Sequence, residues 1–179
     1  MNASGWIAVP ALLTLAPAGA LAVQYLSIEQ AQQVMFAAGT QFAPVPYELS
    51  AAQRAQLDDV ARVQGQREVR IWRATQADKP AGFFAVHDVI GKQDYITYAV
   101  AISPQGKVTS VEILEYRESH GYEIRNPRWR QQFAGKTRAD AVQIDTDIAN
   151  ISGATLSCRH VTDGVRRILL LHDLVLKSP

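Results

Sequence analysis

The chain has 179 residues, of which 47% are hydrophobic and 20% are charged, and its formal net charge is +1. This length suits one domain, and the composition is that of a globular protein rather than a disordered or fibrous one. With 18 basic and 17 acidic residues there is no basic field for a polyanion, so we expect no nucleic-acid partner. The single cysteine, Cys158, excludes an internal disulfide and a thiolate-rich metal site. The four histidines show no metal-ligand spacing, and we expect no bound metal.

The N-terminal stretch resembles an export signal. Glu29 is the first charged residue, and residues 6–23 form an apolar run that ends in two Ala-x-Ala patterns, the later one at Ala20 and Ala22. This arrangement is typical of a cleaved secretory signal peptide. Two prolines interrupt the run and make a spanning helix less attractive, although an uncleaved anchor or a buried element stays open. We predict a signal peptide or membrane anchor over residues 1–22 and a periplasmic location, or one at the outer face of the inner membrane.

Two capping boxes mark the next segment. Ser27-x-x-Gln30 and Ser50-x-x-Gln53 each pair a hydroxyl with an amide that satisfies backbone donors at a helix start. Between them, Ala43-Pro44-Val45-Pro46 predicts a stiff, extended connector. We therefore predict an N-terminal helical segment over residues 23–66.

A strand pattern follows. Residues 68–73 alternate with period two, and residues 82–86, 95–102 and 108–116 are rich in β-branched and aromatic side chains. Ser103-Pro104-Gln105-Gly106 predicts a hairpin between the last two strands. A short helix around residues 129–133 and a long one over about 154–171 follow, the latter with Val161, Val165, Ile168 and Leu169 on one stripe. The predicted fold class is α+β, with a twisted antiparallel sheet, flanking helices and a long C-terminal helix.

The residues that lead into the last helix are small and rich in hydroxyl groups. A helix start leaves amide N–H groups unpaired and favours a phosphate, to which Ser152, Thr155 and Ser157 can add hydroxyl donors. Gly153 permits a close backbone approach. On spacing alone a plainer alternative stays open, in which Ser152 or Asn150 is only an N-cap.

The segment Ile151-Ser152-Gly153-Ala154-Thr155-Leu156-Ser157 resembles the flavinylation motif of the FMN-binding domain family. That family includes the C subunit of the sodium-translocating NADH:quinone oxidoreductase and the G subunit of the Rnf electron-transport complex. In the family, the threonine of Ser-Gly-Ala-Thr forms a phosphoester with FMN, installed by a flavin transferase that uses FAD and magnesium. The resemblance implies that Thr155 is the attachment residue and that Ser152, Gly153, Ala154, Leu156 and Ser157 surround the cofactor.

A second stretch supports the resemblance. Glu118-Ser119-His120-Gly121 is similar to a Glu-x-x-Gly turn of the family, and Trp129 and Phe133-Ala134-Gly135-Lys136 follow in the family's order. The similarity covers about residues 82–171 and is greater to small stand-alone exported members. It implies an FMN-binding domain, which we place at residues 67–179. It also makes Glu118, His120 and Gly121 candidate cofactor contacts, in which Glu118 and His120 face the flavin ring; the alternative is an ordinary solvated loop.

One departure concerns the acidic residue that the family usually has three positions before the serine. Ala149 stands there, and the nearest acid is Asp147, so modification is expected to be slower or absent if the transferase reads that carboxylate. Cys158 is interpreted as an inert helix residue. Tyr122 and Trp129 are candidates for stacking on the ring or for the core. Lys136 is a candidate phosphate contact or the end of a helix.

The resemblance implies an exported flavoprotein that acts as an electron-transfer module between a membrane donor and an unidentified acceptor. We expect a redox carrier rather than a stand-alone enzyme, with a flavin transferase and a membrane electron donor as partners. A second hypothesis is a sensory module that holds FMN or another phosphate ligand without electron transfer. A hydrolase that uses Ser119 and His120 is disfavoured, because neighbouring side chains of a turn are expected to point apart and no orienting acid is evident.

Overall fold

The computed structural model describes residues 23–60 and 67–177. The predicted signal peptide or anchor over residues 1–22 lies outside the described residues. Within the described ranges, no helix combines the length and the apolar character needed to cross a membrane.

The described chain contains strands, helices and short turns of tighter or wider helix. The strands are β1 (Val23–Gln24), β2 (Gln41–Pro44), β3 (Arg70–Gln76), β4 (Lys79–Ile90), β5 (Tyr95–Ile102) and β6 (Val108–Tyr116). The helices are α1 (Ile28–Met35), α2 (Ala51–Val60), α3 (Pro127–Arg130) and α4 (Thr155–Leu171). Two 3₁₀ turns cover Tyr122–Arg125 and Gln131–Phe133, and a π-helical turn, His172–Leu176, extends α4.

The strands form one antiparallel sheet in the order β1-β6-β5-β4-β3-β2. Strands β2 to β6 form a meander, and β1 pairs with the outer edge of β6. The predicted α+β class, the antiparallel sheet and the long C-terminal helix are confirmed, and β5 and β6 have the predicted bounds. The predicted hairpin turn closes through a bond from the Gly106 N–H to the Ser103 carbonyl of 2.9 Å.

The predicted connector over residues 43–46 is wrong in part, because its first half belongs to β2. Ala43 and Pro44 lie opposite Arg73 and Trp72 of β3 at the edge of the sheet. An edge strand tolerates proline, because the missing N–H can face the side of the strand that has no neighbouring strand. The segment over residues 23–66 thus contributes strands β1 and β2 as well as α1 and α2.

Both predicted capping boxes are present. The Ser27 N–H donates to Gln30 Oε1 over 2.8 Å, and the Gln30 N–H donates to Ser27 Oγ over 3.2 Å. The corresponding distances for Ser50 and Gln53 are 2.9 Å and 3.2 Å. These reciprocal bonds satisfy backbone donors at the start of α1 and α2 and fix where each helix begins.

Helices cover both faces of the sheet. Helix α4 buries its predicted stripe against one face, in the larger core. Helix α1 covers the other face with Ala31, which packs near Phe84, Val86 and Leu114. The sheet is therefore buried on both sides, and α4 lies on the face that carries the larger core.

Helix α4 approaches the sheet closely at Gly164. A Cβ atom there would lie 1.9 Å from the hydroxyl oxygen of Tyr98 in β5, so only glycine fits. The same hydroxyl lies 2.9 Å from Nδ1 of His87 in β4. This contact fixes the position of α4 on the sheet, and with it the helix start at Thr155 about 13 Å away along the axis.

Candidate functional site

A cavity of about 530 Å³ opens at the start of α4. Its walls come from the first turn of α4, from the loop after β6 and from the turn between β4 and β5. It brings together seven of the predicted site residues: Glu118, His120, Gly153, Ala154, Thr155, Leu156 and Ser157. Ser119, Lys92 and Gln93 complete the lining. Two other predicted residues are outside it, since Ser152 is exposed beside the cavity and Gly121 is buried behind it.

Helix α4 begins without a side-chain cap. Its N-cap residue is Ala154, which has no capping side chain, so the alternative in which Ser152 or Asn150 caps the helix is wrong. Gly153 adopts a left-handed φ of 87° with nothing within 4 Å of a Cβ position, which suits glycine in an open turn. The backbone N–H groups of the first turn of α4 carry the partial positive charge of the helix, and no capping side chain accepts a hydrogen bond from them. The helix start therefore retains its capacity to bind an anion.

Thr155 is the first residue of α4 and is half-buried. Its Oγ1 accepts a hydrogen bond from the Asn150 amide over 3.2 Å. Because Oγ1 is the acceptor, this bond leaves the proton of the hydroxyl available. Leu156, which follows, is 40% exposed and adds an apolar side chain to the cavity.

Ser157 faces the interior of the protein. The Tyr116 hydroxyl donates to the His120 carbonyl, so the Ser157 hydroxyl, 3.1 Å away, donates to the Tyr116 oxygen. Burial raises the pKa of Tyr116. A Cβ on Gly121 would lie 2.6 Å from the Tyr116 oxygen, so glycine permits this packing. Ser157 in the cavity lining and Gly121 behind it thus join the loop after β6 to α4.

Glu118 binds the backbone of the turn between β4 and β5. Its Oε1 accepts hydrogen bonds from the N–H groups of Lys92, of Gln93 at 2.6 Å and of Asp94 at 2.9 Å. Successive N–H groups that converge on one oxygen form an anion-binding concavity, which this carboxylate fills. Glu118 therefore anchors the neighbouring turn, while its contact with a flavin stays a prediction.

Ser119 and His120 do contact each other, and the expectation that they point apart is wrong. Ser119 Oγ lies 2.9 Å from Nδ1 of His120, and both residues are exposed. Within the described part of the chain, no carboxylate is hydrogen-bonded to His120. The pair thus lacks the orienting acid that a catalytic triad uses.

The backbone of Ala149 is held on both sides. Its N–H donates to Gln132 Oε1 over 2.7 Å, and its carbonyl accepts from Trp129 Nε1 over 2.8 Å. Trp129 is 4% exposed and packs edge-on against Phe133, so it belongs to the core and not to a stacking surface. Tyr122, by contrast, is 61% exposed. The backbone of Ala149, directly before Asn150, is therefore held in a defined position by two hydrogen bonds.

Lys136 forms an ion pair with Asp147, with Nζ 2.8 Å from Oδ2. Asp147 also accepts from the N–H groups of Val142 and Gln143 at 3.1 Å and 2.8 Å. Burial acts to raise the pKa of Asp147, but the bonds to Lys136 and the backbone outweigh it and hold this pKa below its usual value. Lys136 and Asp147 are thus engaged with each other within their own loop.

Cys158 is completely buried on α4, and burial raises the pKa of its thiol to about 11. A protonated, buried thiol fits the interpretation of an inert helix residue. The described residues contain no group of three or more His, Cys, Asp or Glu side chains that could hold a metal ion.

Three residues of the site were missed in the sequence. Lys92 and Gln93 appear in the sequence only as a gap between two strands, and Asn150 was considered only as a cap. Glu118 contacts the N–H groups of residues 24 to 26 positions away, so no local pattern could reveal that Lys92 and Gln93 form a wall.

The comparisons with known proteins bear on this same region. No curated protein matches the chain with significance. The model of the FMN-binding domain family matches residues 91–170, from the turn after β4 to the end of α4. All residues that line the cavity fall within this range. Residues 91–170 thus match the FMN-binding domain family, and the cavity at Thr155 lies within the matched range.

Proposed function

We propose that the protein is an exported flavoprotein that carries FMN as a phosphoester on Thr155 and transfers electrons from a membrane donor to an acceptor outside the cytoplasm. The observation that carries this proposal is the position of the Thr155 hydroxyl. It lies in the uncapped first turn of α4, at the wall of the cavity, inside the range that matches the FMN-binding domain.

The residues present fit FMN. The helix start offers N–H groups and a partial positive charge to a phosphate, and Gly153 leaves the approach open. The cavity of about 530 Å³ lies in the range of pockets for small molecules and cofactors. Leu156 adds apolar surface and Lys92 adds a positive charge. FMN is therefore the ligand that both the family and the geometry support.

The attachment step would be a phosphoryl transfer catalysed by a flavin transferase. The Thr155 oxygen forms a bond to the FMN phosphorus of FAD, the bond from that phosphorus to the bridging oxygen breaks, and AMP leaves. The hydroxyl proton passes to a base of the transferase or to water. Asn150 donates to this oxygen and does not take up its proton, so it orients the nucleophile without blocking it.

Bound FMN supplies a ring that accepts and returns electrons together with protons. The contribution of the chain is to hold that ring. A covalent tether keeps its local concentration high without tight binding, which matters outside the cytoplasm, where a released cofactor is lost.

Co-expression with a flavin transferase tests the attachment. We expect yellow fluorescence of the wild-type band on a denaturing gel and its loss in Thr155→Val. Thr146→Val is the matched control, because Thr146 is exposed on a neighbouring loop outside the cavity lining. Equal labelling of wild type and Thr155→Val would contradict the assignment of Thr155.

A second candidate function is a sensory module that holds FMN or another phosphate ligand non-covalently. It is favoured by Ala149 in place of the family's acid. Fluorescence only in native buffer would support this alternative, and fluorescence in neither condition would contradict both. To separate carrier from sensor, the flavin is reduced with dithionite and mixed with a quinone. A carrier passes two electrons and two protons to the quinone, which becomes a quinol, whereas a sensor stays reduced.

A further inference from the structure

We propose that residues 91–94, the turn between β4 and β5, form the wall of the flavin site that faces the ring, that Glu118 positions this turn, and that Lys92 on it raises the reduction potential of the flavin. This inference rests on the proposed function, because it assumes that FMN occupies the cavity beside Thr155.

Glu118 is a positioning residue in this account. A single carboxylate oxygen accepts three consecutive N–H groups of the turn, and a Cβ on Gly91 would lie 2.6 Å from that oxygen. Bonds to an ionised acceptor are stronger than those between neutral groups. The backbone of Lys92 therefore has a defined position relative to the end of β6.

The turn is also joined to α4. Nδ1 of His160 lies within hydrogen-bond distance of the Ile90 carbonyl, the last residue of β4, and therefore carries a proton. His160 lies one helical turn after Leu156, which lines the cavity. The three walls of the cavity are thus connected by side-chain bonds, and the backbone of Lys92 has a defined position relative to Thr155.

The cavity lining carries one cationic and one carboxylate side chain, Lys92 and Glu118, and the carboxylate is engaged by backbone N–H groups. Lys92 is the only lysine or arginine among the residues that line the cavity. The carboxylate of Glu118 accepts three backbone N–H groups of the turn, and within the described residues Lys92 forms no ion pair with it or with another acid. Reduction adds negative charge to the ring, which a nearby cation stabilises. Lys92 is therefore expected to make the bound flavin easier to reduce.

The experiment uses the full chain after co-expression with a flavin transferase, with two readouts. The first is the flavin potential, from equilibration with reference dyes. Lys92→Met is expected to shift the ratio of reduced to oxidised flavin at a fixed poise about tenfold toward the oxidised form, which is about 30 mV for a two-electron couple. Lys107→Met is the matched control, because Lys107 is exposed on the turn between β5 and β6, at the other end of the sheet.

The second readout is amide hydrogen exchange at residues 92–94, which needs no flavin. Glu118→Ala is expected to raise exchange there at least tenfold, and Glu118→Gln, which keeps a neutral acceptor, to raise it less. Glu123→Gln is the control, as an exposed acid of the neighbouring 3₁₀ turn. If Glu118→Ala does not fold, Glu118→Gln alone decides the point.

The outcomes separate the inference from the proposed function. Suppose that wild type carries covalent flavin and that Lys92→Met and Lys107→Met have equal flavin potentials. This result would overturn the role of Lys92, and the assignment of Thr155 as the attachment residue would still stand. Unchanged exchange at residues 92–94 in the Glu118 variants would overturn the role of Glu118. A wild-type protein without flavin would overturn the proposed function and the role of Lys92 together, while the exchange data would still judge Glu118.

Discussion

Replacing Gly164 with alanine should destabilise the protein, although the same change stabilises most helices. In an ordinary helix interior, alanine is favoured over glycine by about 1 kcal/mol. Here the new Cβ would lie 1.9 Å from the Tyr98 hydroxyl oxygen and 3.2 Å from Nδ1 of His87. Tyr98 and His87 are completely buried, so neither side chain has free space to enter.

The magnitude follows from two costs and one gain. Overpacking a well-packed core costs about 1–3 kcal/mol. Displacement of Tyr98 also breaks its 2.9 Å hydrogen bond to His87 and leaves buried polar groups unpaired, at about 1–3 kcal/mol. The helix propensity of alanine offsets about 1 kcal/mol. We expect the free energy of unfolding to fall by about 3 kcal/mol.

Urea unfolding of wild type, Gly164→Ala, Tyr98→Phe and the double variant measures this. Tyr98→Phe removes the clashing hydroxyl, so the double variant should be more stable than the sum of the single effects predicts, by about 1–3 kcal/mol. If Gly164→Ala is as stable as wild type or more stable, the reasoning about this contact is refuted.

Three further predictions concern protonation, anchoring and reactivity. Burial lowers the pKa of His87 to about 4, so the unfolded chain binds more protons between about pH 4 and 6.5, and the free energy of unfolding should fall by about 3 kcal/mol as the pH drops through that window. Calorimetry at several pH values measures this fall, which His87→Gln should reduce. Trp129→Phe removes the bond to the Ala149 carbonyl, and should cost about 1 kcal/mol in urea unfolding and slow flavin attachment at Thr155. Cys158 should react with a disulfide reagent at pH 8 only after denaturant is added, which absorbance of the released thiol reports.

Local signals in the sequence predicted much of the fold. The capping boxes at Ser27 and Ser50 and the turn at Ser103-Pro104-Gln105-Gly106 depend on residues close together in the chain, and the structure contains all three. The turn between β3 and β4 gave no such signal. Ala77 and Asp78 both have positive φ there, 47° and 60°, a conformation that sequence patterns associate with glycine or asparagine.

Pairings across long stretches of chain were the part that sequence did not predict. Strands β1 and β2 are short, and their pairing depends on β6 and β3, whose edges they cover. The contacts of Glu118 with the turn after β4, and of Trp129 with Ala149, likewise join residues far apart in sequence. The motif at Thr155 was recognisable because its residues are adjacent, whereas the wall formed by Lys92 was not.

The intact mass of the protein after co-expression with a flavin transferase, followed by mapping of the modified peptide, tests the central claim most directly. Our account predicts an increase by the mass of one FMN less one water, located on Thr155 and absent from Thr155→Val. An unmodified mass after co-expression with an active flavin transferase, or a flavin located on another residue, would contradict it.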